Sequence, residues 1–303
     1  MLVRLLKTNL VMLNPIMRLF YKCKYGAIGI VYMMHRVGTL NSQGITYNEN
    51  MKVSPKWLEY IILTYRKHGF DFLSLDDLYE LMRGNRKQRK PFVIFTLDDG
   101  YVDNYTIAYP IFKKYKVPFC IYVATDFPDN KAFLWWYAIE EYLSGDADKN
   151  EKFVEMRQKV LAFPREHFIN DCRKLLSDFD LNPLKYVQTE ALTWSQIVEM
   201  SNDPLCTIGG HSVSHPAFSS LKENEIRLEI EEGVKILQNH IKKPITHFAY
   251  PYGSLNEVNE REYNITEDYG FKTIMTTIQG FITKKSNVGR LPRYMLFDKN
   301  YLK

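Results

Sequence analysis

The stretch PFVIFTLDDG, residues 91–100, runs from apolar residues straight into two adjacent carboxylates. Residues 91–97 predict a strand, because the run is rich in Phe, Val and Ile, and Gly100 permits a turn after it. Adjacent ionised Asp side chains repel each other, so Asp98 and Asp99 need a partner or a backbone turn that separates them. Loops at the carboxyl ends of parallel strands commonly build active sites, although an Asp-Gly pair can also be turn chemistry alone.

Segments with strand and helix patterns alternate on both sides of this strand. The predicted strands cover residues 27–33, 70–75, 91–97, 118–124, 205–208, 246–250 and 272–275. The predicted helices cover residues 54–69, 75–82, 102–115, 193–200 and 222–240. This alternation predicts the α/β class, with a parallel sheet or barrel. Residues 127–192 are charged, follow the period of a helix and lack strand patterns, so they predict a helical insertion between core strands.

The composition is that of an ordinary globular protein. The 303 residues are 46% hydrophobic and 14% aromatic, which is enough for a packed core. Lys and Arg number 40 against 35 Asp and Glu, an excess too small to indicate nucleic-acid binding. The four cysteines, Cys23, Cys120, Cys172 and Cys206, are far apart and form no CxxC pair. This spacing argues against a disulfide framework or a zinc ribbon and favours a reducing compartment.

Residues 1–26 are basic and apolar, and no acidic residue occurs before Glu49. Lys7, Asn9 and Asn14 interrupt the apolar run, so the segment predicts neither a signal peptide nor a transmembrane span of about 20 apolar residues. We expect a helical segment that either packs on the body of the protein or lies on an anionic membrane surface through residues 1–24. The predicted location is cytoplasmic, with membrane association as a variant of it.

A second group of polar residues is GGHSVSHP, residues 209–216, after the predicted strand at 205–208. His211 and His215 are four residues apart, and the spacing predicts that both face the same side of one helical turn, as two imidazole ligands of a metal ion require. The motif lacks the Glu of the HExxH metalloproteases. Two polar histidines in a Gly/Ser loop are the alternative interpretation.

Taken together, the two groups suggest a hydrolytic site. One Asp and two His make a three-ligand set that leaves coordination positions open for water and substrate. The second Asp, held beside a cation, would stay ionised at neutral pH and could accept a proton from the attacking water.

Three segments, TLDDG (96–100), HSVSH (211–215) and FAYPYG (248–253), resemble the motifs of the NodB-homology polysaccharide deacetylases, carbohydrate esterase family 4. The first segment has Leu97 where the family motif has Phe, and the likeness extends from about Ile30 to Arg293. The resemblance implies a distorted (β/α) barrel of about seven parallel strands, with the helical insertion at about 127–192. Residues 27–303 would form the deacetylase-like catalytic domain, preceded by the basic helical segment 1–26.

The resemblance also implies roles for individual residues. Asp98 would be the general base, and Asp99, His211 and His215 would hold a divalent metal ion, with Zn²⁺ as the first choice and Co, Ni, Mn or Fe as alternatives. The backbone amide of Tyr252 would help to bind the oxyanion that forms on the acetyl oxygen.

Two positions depart from the family pattern. Many members have an Arg where this chain has Ala249, and that Arg orients the catalytic Asp; Arg290 and Arg293 are candidates to replace it, with Arg293 preferred. Many members also have a C-terminal His that acts as the general acid, but no His follows His247 here. The segment VYMMHR, residues 31–36, resembles a Y-H-R segment that carries this acid on the first strand of other members. His35 is therefore the candidate acid, and a buried structural histidine is the alternative.

The resulting hypothesis is a metal-dependent hydrolase that removes an acetyl group from an N-acetylated sugar, in surface polysaccharide biosynthesis. Its partner would be an N-acetylated oligosaccharide, a polysaccharide or a lipid-linked sugar, and not a nucleic acid. A carbohydrate-binding protein without turnover is one alternative, suggested by Ala249 and the missing C-terminal His. A non-haem iron oxygenase is another, because two His and one carboxylate also form the ligand triad of that class.

Overall fold

A curled, mainly parallel sheet forms the centre of the computed structural model, which describes residues 15–176 and 182–299. The strands are β1 Ala27–Met34, β2 Arg36–Val37, β3 Lys52–Val53, β4 Asp71–Phe72, β5 Phe92–Leu97, β6 Phe119–Val123, β7 Cys206–Gly210, β8 His247–Ala249, β9 Thr273–Met275, β10 Ile282–Thr283 and β11 Tyr294–Met295. Seven of them lie in the order β10-β1-β5-β6-β7-β8-β9. They form a half-barrel, which confirms the predicted fold class.

Helices surround this half-barrel on its outer face and at its edges. They are α1 Pro15–Tyr25, α2 Thr46–Glu49, α3 Pro55–Lys67, α4 Leu75–Met82, α5 Tyr109–Tyr115, α6 Trp135–Tyr142, α7 Lys149–Leu161, α8 Phe168–Leu175, α9 Val187–Glu190, α10 Trp194–Asn202, α11 Glu223–Ile241 and α12 Glu260–Glu267. All six residues of β5 are buried, because side chains alternate between the helix-covered face and the inner face of the sheet. Two apolar clusters accordingly share the strand: Phe95 and Leu97 in one, Phe92 and Ile94 in the other.

The register of the parallel strands brings several strand ends to one edge of the sheet. Met34 pairs with Leu97, and Val123 pairs with Gly210. The residues that follow these ends, among them His35, Asp98 and His211, therefore emerge at the same edge, which we call the carboxyl edge. We call the opposite edge, where β1, β5 and β6 begin, the amino edge.

Some elements differ from the sequence-based prediction. The strand β10 is antiparallel to β1, so the sheet is not wholly parallel. The predicted helix over 102–115 begins instead with a π-helix, Asn104–Ala108, before α5. The strands β2, β3, β10 and β11, of two residues each, were not predicted, because so short a strand shows no periodicity. The predicted strand over 70–75 contains only the two residues of β4.

Helices α6 to α9 occupy the insertion, over the part of residues 127–192 that the structure describes. Trp135, Ile139, Phe153 and Val160 form an apolar cluster there that is separate from those of the sheet. The domain boundaries at 26 and 27 remain a prediction.

The N-terminal prediction lies partly outside the described residues, which begin at Pro15. Helix α1 packs through Met17 and Tyr21 against the sheet cluster, and the Tyr21 ring lies 4.9 Å from that of Phe281. Within the described ranges, no helix is both long and apolar enough to cross a membrane.

Candidate active site

Asp98 follows β5 at the carboxyl edge and is held by a buried arginine. Arg293 donates two parallel hydrogen bonds to it, from Nη1 to Oδ1 at 2.7 Å and from Nη2 to Oδ2 at 2.8 Å. The same guanidinium donates to the Thr276 carbonyl at 2.9 Å and to Thr96 Oγ1 at 3.1 Å. Arg293 is fully buried and Asp98 is 1% exposed, so both groups of this bidentate pair are fixed in place.

The charge of Arg293 keeps Asp98 ionised. Burial alone would raise the pKa of the Asp98 carboxyl, but the guanidinium and its hydrogen bonds bring that pKa below its ordinary value. Ala249 stands on β8 where many family members have the arginine that orients the catalytic Asp. Here Arg293 contacts Asp98 instead, from the segment before β11. Arg290 lies elsewhere, because it pairs with Glu260 at 2.7 Å. Of the two candidate arginines, the structure brings only Arg293 to Asp98.

Asp99 points to a different place from Asp98. Its φ of 77° is in the left-handed region, so the backbone turns sharply between the two carboxylates. Asp99 Oδ1 lies 3.4 Å from His211 Nε2 and 3.1 Å from His215 Nε2.

The two histidines meet through a loop and not through a helix. The predicted helical turn is wrong, because Ser212 and His215 have φ values of 68° and 57°, which no α-helix contains. The backbone N–H of His215 donates to Ser212 Oγ at 3.1 Å, which closes the loop. The two imidazoles are therefore brought together by a tight loop, and not by the helical turn that their spacing predicted.

Asp99, His211 and His215 fit a metal ion. His211 Nδ1 lies 2.8 Å from the Ala249 carbonyl oxygen, which can only accept, so Nδ1 carries the proton and Nε2 keeps its lone pair. Asp99 Oδ1 is buried and has no hydrogen-bond donor among the described residues. One potential ligand atom from each of the three residues lies within 4.8 Å of the others. Converging lone pairs of this kind are what a divalent cation would neutralise.

Glu229 of α11, which the motifs do not reveal, holds the histidine loop. Its Oε2 accepts from the backbone N–H groups of Val213 and Ser214 at 2.8 and 2.9 Å, and its Oε1 accepts from Ser214 Oγ at 2.9 Å. The side chain is 3% exposed. Gly233, one turn later, lets the helix approach, because a Cβ there would lie 3.0 Å from the Ser212 carbonyl. Nothing in the sequence separates Glu229 from the other acidic residues of this helix.

We expect Glu229→Gln to weaken Zn²⁺ binding about 10- to 100-fold, as changes behind metal ligands typically do. The amide can replace only one of the two acceptor oxygens, so the loop loses a hydrogen bond that fixes His211 relative to His215. Titration calorimetry with Zn²⁺ measures the effect. Glu232→Gln, on the exposed side of the same helix, is the matched control and should bind as the wild type does. Equal affinity of all three proteins would contradict this role.

His35 and Tyr252 complete the set of predicted residues. His35 Nδ1 is buried without a hydrogen-bond partner among the described residues, and the carbonyl of His35 accepts from Asn104 Nδ2 at 2.9 Å. Burial lowers the pKa of His35, and the nearby Asp99 and Asp98 offset this only in part. Tyr252 has a φ of 59°, and its ring centre lies 4.8 Å from that of His215. Its backbone N–H has no acceptor within the described ranges, as an oxyanion donor requires.

Six of the predicted site residues line one cavity of about 460 Å³: His35, Asp98, Asp99, His211, His215 and Tyr252. Arg293 is not among its lining residues. Its wall also includes several large side chains: Tyr47, Tyr101, Trp135, Trp136, Arg157 and Met295. A second cavity of about 500 Å³ shares Trp135, Trp136, His215 and Tyr252 with the first. The helical insertion therefore forms part of the wall of both cavities.

Arg36 ties the insertion to the carboxyl edge and was also not predicted to have a role. Its guanidinium pairs with Asp103 at 2.7 Å and with Glu190 of α9 at 2.5 Å, and it lies 4.7 Å above the Tyr101 ring. It also donates to the Tyr137 hydroxyl of α6. These contacts fix the aromatic wall of the cavity relative to the strands.

Known proteins share this fold. The structure of Streptococcus pyogenes deacetylase PplD in complex with acetate matches with a TM-score of 0.63 and 20% identity, over 90% of this chain and 95% of that one. The structure of IcaB from Ammonifex degensii matches with a TM-score of 0.60 and 19% identity, over 91% of this chain and 94% of that one.

Sequence comparison gives the family. The poly-beta-1,6-N-acetyl-D-glucosamine N-deacetylase of Escherichia coli (strain K12) is 21% identical over 248 residues, and the match covers 78% of this chain but 32% of the E. coli protein. The sequence profile of the polysaccharide deacetylase family matches residues 85–274, well over half of the chain. The chain therefore belongs to the polysaccharide deacetylase family.

Proposed function

We propose that the protein hydrolyses the acetamide of an N-acetylated sugar, releasing acetate and leaving a free amine on the glycan. The observation that carries the proposal is the pair of adjacent carboxylates with opposite surroundings. Asp98 is held by Arg293, and Asp99 faces two imidazole nitrogens. These surroundings support a role as proton acceptor for Asp98 and as cation ligand for Asp99, in one cavity of about 460 Å³.

Asp99, His211 and His215 would hold the cation. When bound, a divalent metal ion supplies Lewis-acid activation of water and of the acetyl carbonyl. A mixed N and O donor set accepts several divalent ions, with Zn²⁺ as the first choice and Co, Ni, Mn or Fe as alternatives.

The chain's own residues account for the proton transfers. Asp98 accepts a proton from the attacking water as the C–O bond forms, and its pKa, lowered by Arg293, keeps it ionised for this task. The Tyr252 N–H donates to the oxygen that gains negative charge. His35 delivers a proton to the sugar nitrogen as the C–N bond breaks. Burial lowers the pKa of His35, so the imidazole rests neutral and passes on the proton that Asp98 took from the water.

The substrate is proposed to be an N-acetylglucosamine polymer or its precursor, in surface polysaccharide synthesis. The name of the E. coli relative supports this sugar. The aromatic rings of Trp136 and Tyr252 in the cavity wall support it as well, because sugar C–H faces pack on aromatic rings. A cytoplasmic site of action remains part of the proposal.

An acetate-release assay tests the proposal. N-acetylglucosamine oligomers are incubated with the protein under nitrogen, which excludes the oxygen that an oxygenase would need. Acetate and free amine are measured separately. We expect both to appear in equal amounts. Acetate released from O-acetylated xylan but not from the oligomers would contradict amide hydrolysis. Oligomer binding without acetate would instead support the carbohydrate-binding alternative.

We expect His215→Gln to weaken Zn²⁺ binding by at least about 100-fold, because the loss of a ligand costs more than the 10- to 100-fold typical of groups behind the ligands. Titration calorimetry on metal-free protein measures the affinity directly. The matched control is His240→Gln, whose ring stacks on Trp194 far along α11. Removal of metal with a chelator should abolish acetate release, and Zn²⁺ should restore it. Full activity in the chelated protein would overturn the metal assignment.

A further inference from the structure

The amino edge of the sheet carries an unusual concentration of positive charge. Five stretches contribute to it: residues 15–26, 66–70, 83–91, 113–118 and 283–286. Together they contain 15 of the 40 Lys and Arg residues and none of the 35 Asp and Glu residues. The rest of the chain therefore has 25 basic against 35 acidic residues and is net negative.

The strand register places these stretches side by side. Gly29 of β1 pairs with Phe92 of β5. Helix α1, which precedes β1, and the loop that precedes β5 therefore lie side by side. Thr283 pairs with Ala27, so the loop that contains Lys284 and Lys285 begins beside the same point.

Side-chain contacts join the remaining stretches. Arg18 of α1 donates to the His68 carbonyl at 3.5 Å, and its guanidinium lies 5.7 Å from the centre of the Phe70 ring. Arg66 donates to the Tyr115 carbonyl at 2.5 Å. The five stretches therefore form one surface, which we call the basic face.

Most of the charge on this face is not neutralised. Four cations of the face have acidic partners: Lys90 pairs with Asp71, Lys113 with Asp203, Lys114 with Glu59, and Arg86 with Asp77. Six exposed cations have no ion-pair partner within the described residues: Lys22, Lys67, Lys87, Arg89, Lys116 and Lys285. A cluster of this kind attracts an anionic surface within about a Debye length, roughly 10 Å at 0.1 M salt.

Helix α1 favours a lipid surface over a nucleic acid. Leu19 and Ile16 are 61% and 78% exposed, and they lie beside Arg18 and Lys22 on a helix of the basic face. Exposed aliphatic side chains among cations suit the boundary between headgroups and acyl chains. Phosphodiester backbones offer no apolar layer for such side chains.

We propose that the basic face docks on an anionic lipid bilayer, with the catalytic cavity directed away from the membrane. This inference extends the predicted contact of residues 1–24 to four further segments, and it does not depend on the deacetylase activity. The strand β1 has eight residues, so the two edges are about 26 Å apart at about 3.3 Å per residue.

Vesicle sedimentation tests the docking. The full chain is mixed with vesicles of phosphatidylcholine alone, or of phosphatidylcholine and phosphatidylglycerol. We expect at least tenfold stronger binding to the anionic vesicles, weakened by added salt. A variant that neutralises Lys67, Lys87, Arg89, Lys116 and Lys285 to Gln should lose at least tenfold in binding to anionic vesicles.

The control removes the same number of charges from other surfaces. It carries Lys56→Gln, Lys152→Gln, Lys159→Gln, Lys174→Gln and Lys235→Gln, and it should bind anionic vesicles within twofold of the wild type. Equal binding to neutral and anionic vesicles would overturn the proposal. So would equal loss in both variants, or binding to duplex DNA but not to anionic vesicles.

A fluorophore on Cys23 tests the orientation. Cys23 of α1 is exposed, whereas Cys120, Cys172 and Cys206 are buried, so the label goes to one site. Its emission should shift to the blue on anionic vesicles. The same label on Leu255→Cys in a Cys23→Ser background reports the opposite edge, because residue 255 is 74% exposed next to the cavity residues Ser254 and Asn256. That emission should stay unchanged; a shift at Leu255→Cys alone would reverse the proposed orientation.

Discussion

Asp98→Asn is expected to lower kcat for acetate release by about 10²- to 10⁴-fold, the range that a positioned general base contributes. The amide keeps the size of the carboxylate and one acceptor oxygen for Arg293, but it leaves the buried guanidinium without a counter-charge, so we expect a loss of stability beside the loss of rate. The amide cannot take a proton from the attacking water. The measurement is the steady-state rate on N-acetylglucosamine oligomers, with Zn²⁺ affinity determined on the same sample.

Zn²⁺ affinity separates this role from a structural one. Both side-chain oxygens of Asp98 accept from Arg293 and not from a histidine, so Asp98→Asn should keep a Zn²⁺ affinity within a few-fold of the wild type. The matched control is Asp268→Asn, which also removes a carboxylate paired with an arginine, Arg227 at 2.9 Å, but on an exposed surface. It should keep both activity and affinity. Wild-type activity of Asp98→Asn would sink the assignment of the base.

Arg293→Met is expected to have the second large effect, on stability as well as on activity. Removal of one partner of a buried ion pair typically costs about 3–5 kcal/mol, because the other charge stays buried without compensation. The pKa of Asp98 should rise, because burial raises it and only the weaker influence of His211 and His35 remains to offset that burial. The carboxylate is the active form, so the acidic limb of kcat/KM should move to higher pH. Denaturant unfolding and a pH–rate profile measure the two effects.

Arg293→Lys distinguishes the charge from the geometry. A lysine keeps a positive charge but cannot form two parallel hydrogen bonds. We expect it to recover part of the stability while kcat stays below that of the wild type. Arg290→Met, which removes a partly exposed guanidinium paired with Glu260, is the matched control and should change neither quantity much. An Arg293→Met protein with the pH profile of the wild type would contradict the role of Arg293.

The sequence predicted the parts of the site that are local in the chain. The apolar run before Asp98 and the Gly after Asp99 define a strand end and a turn, and both are present. Apolar periodicity likewise predicted the α/β class and most of the longer helices, because these elements bury one regular face. The spacing of His211 and His215 also predicted that their side chains lie together, although a loop, and not a helix, brings them there.

The parts that depend on long-range packing could be predicted only weakly or not at all. Arg293 and Arg290 have similar sequence surroundings, and only the pairing of β11 with β1 shows which one reaches Asp98. Glu229 looks like one more charged residue on an amphipathic helix until α11 is seen packed against Ser212. Arg36 was part of a recognised segment, but its partners Asp103 and Glu190 are far away in the chain. A local sequence pattern cannot show contacts between residues so far apart in the chain.

The pairing of Asp98 with Arg293 joins residues 195 positions apart. Arg293 lies beyond residue 274, where the match to the family profile ends, and His35 lies before residue 85, where it begins. A fragment cut at those limits would keep Asp98, Asp99 and both histidines, and it would lose the cation that compensates the buried Asp98 carboxylate. During synthesis, too, 195 further residues must follow Asp98 before its counter-charge is made. The buried carboxylate is thus compensated only once the segment that contains Arg293 has been synthesised and has packed beside it.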